Sequence, residues 1–101
     1  MSQTLLLRLN LEVELKHAVT DSLLTFEAMP LSFISYQVQS HQADQRLHSI
    51  REQVDGFTPK MMIEITVPES LLSALLQHLK ADLPQANIPY QLLPSIQDGQ
   101  L

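Results

Sequence analysis

The sequence predicts an α+β sandwich in which four antiparallel strands carry two helices on one face. The apolar pattern follows the order strand, helix, strand, and the second half of the chain repeats that order. A long connection separates the two halves, and prolines mark the last strand as a sheet edge. Since the pattern occupies a chain of 101 residues, we expect a single domain over residues 1–101.

The first half of the chain predicts a strand, a helix and a second strand. The first strand has a leucine at every second position, at Leu5, Leu7, Leu9 and Leu11. The next segment, VELKHAVTDSLLTFEA, has the spacing of an amphipathic helix, with its stripe at Leu15, Ala18, Val19, Ser22, Leu23 and Phe26. Pro30 is expected to end this helix. In LSFISYQVQS the period returns to two, which predicts a strand with Ile34, Tyr36 and Val38 on the core side and a wet face opposite.

The second half repeats this order. After Pro59 the segment KMMIEITV alternates again, with its apolar set at Met61, Ile63, Ile65 and Val67. Pro68 and Glu69 then suit the first turn of a helix, which accepts a proline and a negative charge. Its leucine stripe runs to Pro84, through Leu72, Leu75, Leu76, Leu79 and Leu83. The last strand, in IPYQLLPSIQ, contains Pro89 and Pro94 and therefore belongs on an edge.

This order of elements is that of a split-βαβ, ferredoxin-like sandwich. In that fold the fourth strand is an edge and the second face of the sheet has no helix to cover it. Apolar residues nevertheless alternate with the core set on that face, at Leu6, Phe33, Met62 and Leu93. A partly apolar open face predicts that subunits pack against each other.

Composition excludes several classes of function. The net charge is −5 with no basic cluster, which argues against nucleic-acid binding. No apolar run reaches the roughly 20 residues that span a bilayer, so we expect no membrane insertion. The chain has no cysteine, which excludes thiolate nucleophiles and cysteine-based zinc sites. The N-terminal leucines read as a strand rather than a signal peptide, so the expected location is the cytoplasm.

The connection between the second and third strands, about residues 40–59, is the main candidate for a functional segment. A hairpin needs only about two to five residues, and excess length in a compact domain is typically functional or disordered. It contains His41 and His48, which could bind a metal with Asp44 or Glu52, or could be exposed imidazoles. Gly56 is expected to be a turn residue with positive φ.

A catalytic role is not supported by the residue patterns. The connection places Ser49 beside His48 and Glu52, but neighbours in sequence rarely have the geometry of a triad. The chain contains no GxSxG or HExxH motif, and its two glycines cannot build a phosphate-binding loop. We therefore expect a protein that is not an enzyme.

Several strings resemble bacterial PII-like proteins of the domain of unknown function 3240 family. These are SFISYQV followed by His41, LHSIREQVDG, SLLSALLQHL and LPQANIPYQLLPSI. The most specific is EQVDG, Glu52 to Gly56, and the resemblance covers nearly the whole chain. It implies a ferredoxin-like subunit that forms a homotrimer, with residues 40–59 equivalent to the T-loop of PII regulators.

The resemblance also implies a function. PII proteins are not enzymes; they bind small effectors in clefts between subunits, and their T-loop binds or releases a target protein. Members of this family look to be encoded beside heavy-metal efflux pumps, which makes a membrane efflux-pump protein the implied target. We expect Glu52 and Gln53 to fix the loop base, Gly56 to let the chain enter the third strand, and Lys60 to be the base nearest to it.

The sequence does not decide which small molecule or metal ion the protein binds. PII regulators carry a glycine-rich loop with a lysine after the second helix, whereas this chain has ADLPQANIPY there, with no glycine and with Lys80 upstream. The alternative function is a metal-binding accessory protein for copper or zinc tolerance, similar to CutA. In that case His41 and His48 would be the ligands of a divalent metal.

Overall fold

A computed structural model describes residues 3–42 and 56–101. Within these ranges the strands are β1 (Thr4–Glu12), β2 (Ser32–Ser40), β3 (Thr58–Pro68) and β4 (Tyr90–Pro94). The helices are α1 (Lys16–Leu24), which follows a 3-10 turn at Val13–Leu15, and α2 (Glu69–Asp82). Neither helix is long and apolar enough to cross a membrane.

The four strands form one antiparallel sheet in the order β2-β3-β1-β4. The central pair is β1 and β3, and both β2 and β4 are edges, which confirms the ferredoxin-like fold and the edge position of the last strand. Pro68 precedes α2 in an extended conformation, and the amide of Glu69 donates to the Gln3 carbonyl at 2.7 Å. The proline and the acidic residue thus lie at the start of the second helix, as predicted.

The core lies between the helices and one face of the sheet. Alternate residues of the two central strands form its floor, because period two sends every second side chain to the same face. The buried strand residues are Leu7, Leu9, Leu11, Met61, Ile63, Ile65 and Val67. From the helices and the turn that follows α1 come Val19, Leu23, Phe26, Leu75 and Leu79. The predicted core of β1, β3 and α2 is therefore confirmed at most positions.

The first helix is shorter than its pattern predicts. It ends at Leu24 rather than running to Pro30, because the amide and hydroxyl of Thr25 both bond back to the Ser22 carbonyl. Such local bonds to backbone favour a helix end. Ala18 is exposed, although Phe26 beyond the helix still reaches the core.

The predicted facing of β2 is wrong. Register pairs Phe33 with Ile65 on the helix side, and it pairs Tyr36 with Met62 on the other side. Ile34 and Tyr36 are accordingly 62% and 39% exposed, whereas Phe33 packs against the core. Because β2 is an edge strand with apolar residues on both faces, alternation alone could not say which face the helices cover.

Candidate functional site

The base of the long connection, called the neck below, consists of Ser40 and His41 on one side and Phe57 and Thr58 on the other. The ladder between β2 and β3 continues without a break to the pair Ser40 and Thr58. Just beyond it, the rings of His41 and Phe57 lie 5.9 Å apart between centroids, tilted by 52°. Thr58 is buried and Gly56 has a φ of 77°, the positive value that the sequence predicts. Both ends of the connection are therefore held at one point on the sheet edge.

Lys60 is anchored from the neighbouring strand. Its ammonium Nζ lies 2.5 Å from Glu12 Oε1, and the two residues are directly opposite in the register of β1 and β3. Opposite charges at facing positions are favourable cross-strand pairs. Lys60 thus ties the start of β3, next to the neck, to the end of β1, and any anion that binds Lys60 competes with Glu12.

The predicted site residues divide into two groups. Gly56, Lys60 and an exposed His41 all lie at or near the neck. His48, Glu52 and Gln53 lie outside the described residues, so their roles stay predictions. In residues 3–42 and 56–101 no group of three or more histidine, aspartate or glutamate side chains is arranged to hold a metal ion.

The face of the sheet away from the helices, called the open face below, carries a polar network that the sequence reasoning missed. The open face consists of the residues that alternate with the core set: Leu6, Arg8, Asn10, Glu12, Ile34, Tyr36, Val38, Lys60, Met62, Glu64, Thr66, Gln91 and Leu93. At its centre Arg8 Nε donates to Glu64 Oε2 at 3.0 Å. Arg8 Nη1 also lies 3.4 Å from Gln91 Oε1. In the sequence, the signal for this network was a single charged residue among apolar neighbours in each strand, Arg8 in β1 and Glu64 in β3. Whether the two side chains meet depends on the strand register.

Asn10 on the open face has an unsatisfied acceptor. Its Oδ1 atom is buried and has no hydrogen-bond partner among the described residues. The residue lines a small cavity of about 220 Å³ together with Arg8, Met62 and Gln91. A buried acceptor without a partner costs about 1–3 kcal/mol, and native proteins rarely leave one.

The C-terminal ends of the two helices are joined by a polar clasp. Ser22 Oγ donates to Asp82 Oδ2 at 2.6 Å, and His78 Nε2 donates to the Ser22 carbonyl at 2.7 Å. The His78 ring also packs edge-on against Phe26, with centroids 5.4 Å apart. These residue types occur in catalytic triads, but here the serine hydroxyl is bonded to the carboxylate rather than to the imidazole. The arrangement therefore holds α1 against α2 and does not activate a nucleophile.

An apolar cavity of about 380 Å³ lies between α2, the segment that follows it and β4. Its lining includes Leu76, Leu83 and Ile88, with Lys80 and Asn87 as polar groups. The segment that follows α2 presents mainly aliphatic side chains to this cavity. The cavity has the size of a small-molecule site.

Solved structures with the same fold were found. A crystal structure of a DUF3240 family protein from Shewanella baltica is 23% identical, with a TM-score of 0.76, covering 100% of this chain and 99% of that one. CPII, a nitrogen regulatory PII-like protein from Thiomonas intermedia bound to ADP, AMP and bicarbonate, is 19% identical with a TM-score of 0.63, covering 97% and 94%. CutA from Synechococcus elongatus is 17% identical with a TM-score of 0.55, covering 95% and 80%.

These likenesses show that the fold is PII-like. No curated protein matches the chain. The family model described as "Protein of unknown function (DUF3240)" matches residues 1–101. The chain therefore belongs to the DUF3240 family.

Proposed function

We propose that this protein is a PII-like regulator without catalytic activity. In this proposal it forms a homotrimer, binds a small effector in the clefts between subunits, and contacts a target protein through residues 40–59. The resemblance to family members encoded beside heavy-metal efflux pumps makes an efflux-pump protein the proposed target.

The single observation that carries the proposal is the neck of the connection. The ladder pairs β2 with β3 as far as Ser40 and Thr58, so the connection leaves and re-enters the sheet at one point of its edge, which supports a T-loop-like role for residues 40–59. Functional segments are commonly presented in this way by a rigid scaffold. An effector that prefers one arrangement of residues 40–59 shifts the population towards it, and by no more than its difference in affinity for the two arrangements.

The open face supports the trimer. It exposes Ile34 and Tyr36 and carries partly buried Leu6, Met62 and Leu93, so it offers apolar surface that no helix of the same chain covers. Its charges are paired within the subunit, Arg8 with Glu64 and Lys60 with Glu12. A face that is apolar and electrically compensated suits contact with further copies of itself.

Native mass spectrometry of the purified protein, alone and with ADP, AMP or bicarbonate, tests the proposal. These probes are the ligands of the CPII structure. A trimer that takes up one of them supports the proposal, whereas a monomer contradicts it. A trimer that takes up none of them at millimolar concentration contradicts the effector part.

Lys60→Gln and Lys80→Gln form a matched pair for locating the site. Each removes one positive charge, but Lys60 lies near the neck and Lys80 lies at the end of α2. We expect Lys60→Gln to weaken effector binding by about tenfold to a hundredfold, since a hydrogen bond to a charged group is worth about 1.5–3 kcal/mol. Lys80→Gln should leave the affinity within about twofold by the same reasoning. Equal effects of the two variants would contradict an effector site at the neck.

A metal-binding accessory role is the second candidate. The exposed imidazole of His41 at the neck and the CutA-like fold favour it. Zinc or copper uptake by the trimer that disappears in His41→Ala would support this function. Uptake unchanged in both His41→Ala and His48→Ala would contradict it.

A further inference from the structure

We infer that the apolar cavity beside α2 binds an aliphatic carboxylate of medium chain length, with its hydrocarbon chain in the cavity and its carboxylate at Lys80. The cavity is lined by residues of a single subunit. The inference therefore goes beyond the proposed function, and it requires neither the trimer nor residues 40–59.

The walls of the cavity are hydrocarbon, because the apolar stripe of α2 is wider than the surface that the sheet covers. Leu75 is fully buried in the core, whereas Leu76 and Leu83 are only partly buried and line the cavity. The rest of the apolar lining comes from β1, from α2 and from the segment after it: Leu9, Leu79, Pro84, Ala86 and Ile88. At about 380 Å³ the cavity is at the lower end of the usual range for small-molecule sites, which is about 300–1,000 Å³. Its walls favour a short hydrocarbon chain.

The cavity opens towards the edge strand β4. Register places Tyr90 opposite Leu9 and Leu92 opposite Leu7, so both β4 side chains lie on the helix side of the sheet. They are nevertheless 51% and 41% exposed, because the helices do not reach fully over this edge. A hydrocarbon chain that enters here covers apolar surface that the subunit leaves in contact with water, and this burial is favourable.

The charge of the lining selects an anionic head group. Lys80 is the only ionised side chain that lines the cavity, whereas Asp82 is bonded to Ser22 and does not line it. Within the described part of the chain Lys80 forms no ion pair, in contrast to Arg8 and Lys60. One base without a nearby acid attracts a carboxylate and repels an ammonium group.

Lys80 also lies where the cavity meets a shallow groove along α2. Leu76 and Lys80 line both, and the groove continues past Ser73 and Gln77 to Glu69. Gln77 and Lys80 are three positions apart and share one face of the helix, so the Gln77 amide can donate to the same carboxylate. Glu69 is about 16 Å away along the helix axis, beyond the distance at which salt screens exposed charges. The carboxylate is therefore expected at the Lys80 end of the groove.

Isothermal titration calorimetry with octanoate and hexanoate tests the hydrocarbon part of the inference. We expect one octanoate to bind per subunit and hexanoate to bind about 15-fold more weakly, because two fewer methylene groups are buried. No binding of octanoate at millimolar concentration, or equal affinities for the two acids, would overturn the inference.

Lys80→Gln and Lys16→Gln form a matched pair for the head group. Each removes one positive charge from a helix, but Lys16 lies at the start of α1 and does not line the cavity. We expect Lys80→Gln to weaken octanoate about fivefold, as for an exposed ion pair, and to leave the affinity for uncharged 1-octanol unchanged. Lys16→Gln should change neither affinity. Equal losses of octanoate affinity in the two variants would overturn the assignment of the carboxylate to Lys80.

Ala86→Phe fills the cavity and locates the hydrocarbon chain. We expect it to abolish octanoate binding, whereas Ala81→Phe, on the exposed surface of α2 and outside the lining, should leave it unchanged. Circular dichroism of both variants confirms that they are folded. Octanoate binding that persists unchanged in a folded Ala86→Phe variant would place the ligand elsewhere and overturn the inference. None of these outcomes bears on the trimer or on the neck, so the proposed function is tested separately.

Discussion

Replacing Arg8 with methionine while keeping Glu64 tests the central ion pair of the open face. The Arg8 side chain is 30% exposed and the Glu64 side chain only 14%, and the two residues are directly opposite on the central strands. Without Arg8 a nearly buried carboxylate has no partner charge. An exposed pair contributes less than about 1 kcal/mol, whereas breaking a buried pair costs about 3–5 kcal/mol.

The exposure of the pair places the expected loss between these limits. We expect Arg8→Met to lower the free energy of unfolding by about 2 kcal/mol, or about 8–16 °C in Tm for a domain of this size. Glu64→Leu should cost less, about 1 kcal/mol, because the longer and more exposed Arg8 can turn to solvent. The double variant Arg8→Met/Glu64→Leu should recover most of the stability, since no unpaired charge remains.

Urea unfolding followed by circular dichroism measures these differences. Protein concentration must be equal in every sample, because dissociation of an oligomer is linked to unfolding. A loss below about 0.5 kcal/mol for Arg8→Met, or a double variant whose loss is the sum of the two single losses, would show that the pair does not compensate a buried charge.

Two further substitutions test local features. Gly56→Ala should lower the free energy of unfolding in urea by about 1 kcal/mol. Its φ is 77° and no atom lies near the added Cβ, so the cost is backbone strain alone. The control Gly99→Ala should be neutral, and equal effects of the two substitutions would contradict this reason. Ser22→Ala should lower the free energy of unfolding by about 1–2 kcal/mol, because the Asp82 carboxylate loses its 2.6 Å hydrogen bond. The control is Ser73→Ala on the exposed side of α2. A neutral Ser22→Ala would show that the clasp contributes nothing to stability.

The central part of the fold could be predicted because, in its two strands, apolar residues are concentrated on one face only. In β1 and β3 every second residue is apolar and its neighbours are mostly polar, so period two alone identifies the buried side. In β2 both faces are partly apolar, and its register with β3 places Phe33, not Tyr36, on the face that the helices cover. This register cannot be derived from the pattern of β2 itself.

The candidate site was predictable only in part for a different reason. The positive φ of Gly56 could be predicted, because glycine is the residue that adopts it without steric cost. The position of His41 directly after β2 also follows from the sequence, whereas its role stays a prediction. The pairs Arg8 with Glu64 and Lys60 with Glu12 join residues that are 56 and 48 positions apart. Their contact is a consequence of strand register, which alternation does not determine. The roles of Glu52 and Gln53 stay predictions.

The neck also makes this fold a suitable carrier for foreign segments. Ser40 and Thr58 are a paired position, and such pairs have Cα atoms about 5 Å apart. Any inserted sequence therefore has to bridge only that short gap. Each doubling of its length adds only about 0.6 kcal/mol in closure entropy. Peptides of quite different length could be displayed at the sheet edge on one unchanged scaffold, and the lack of cysteine would let a single introduced thiol report on them.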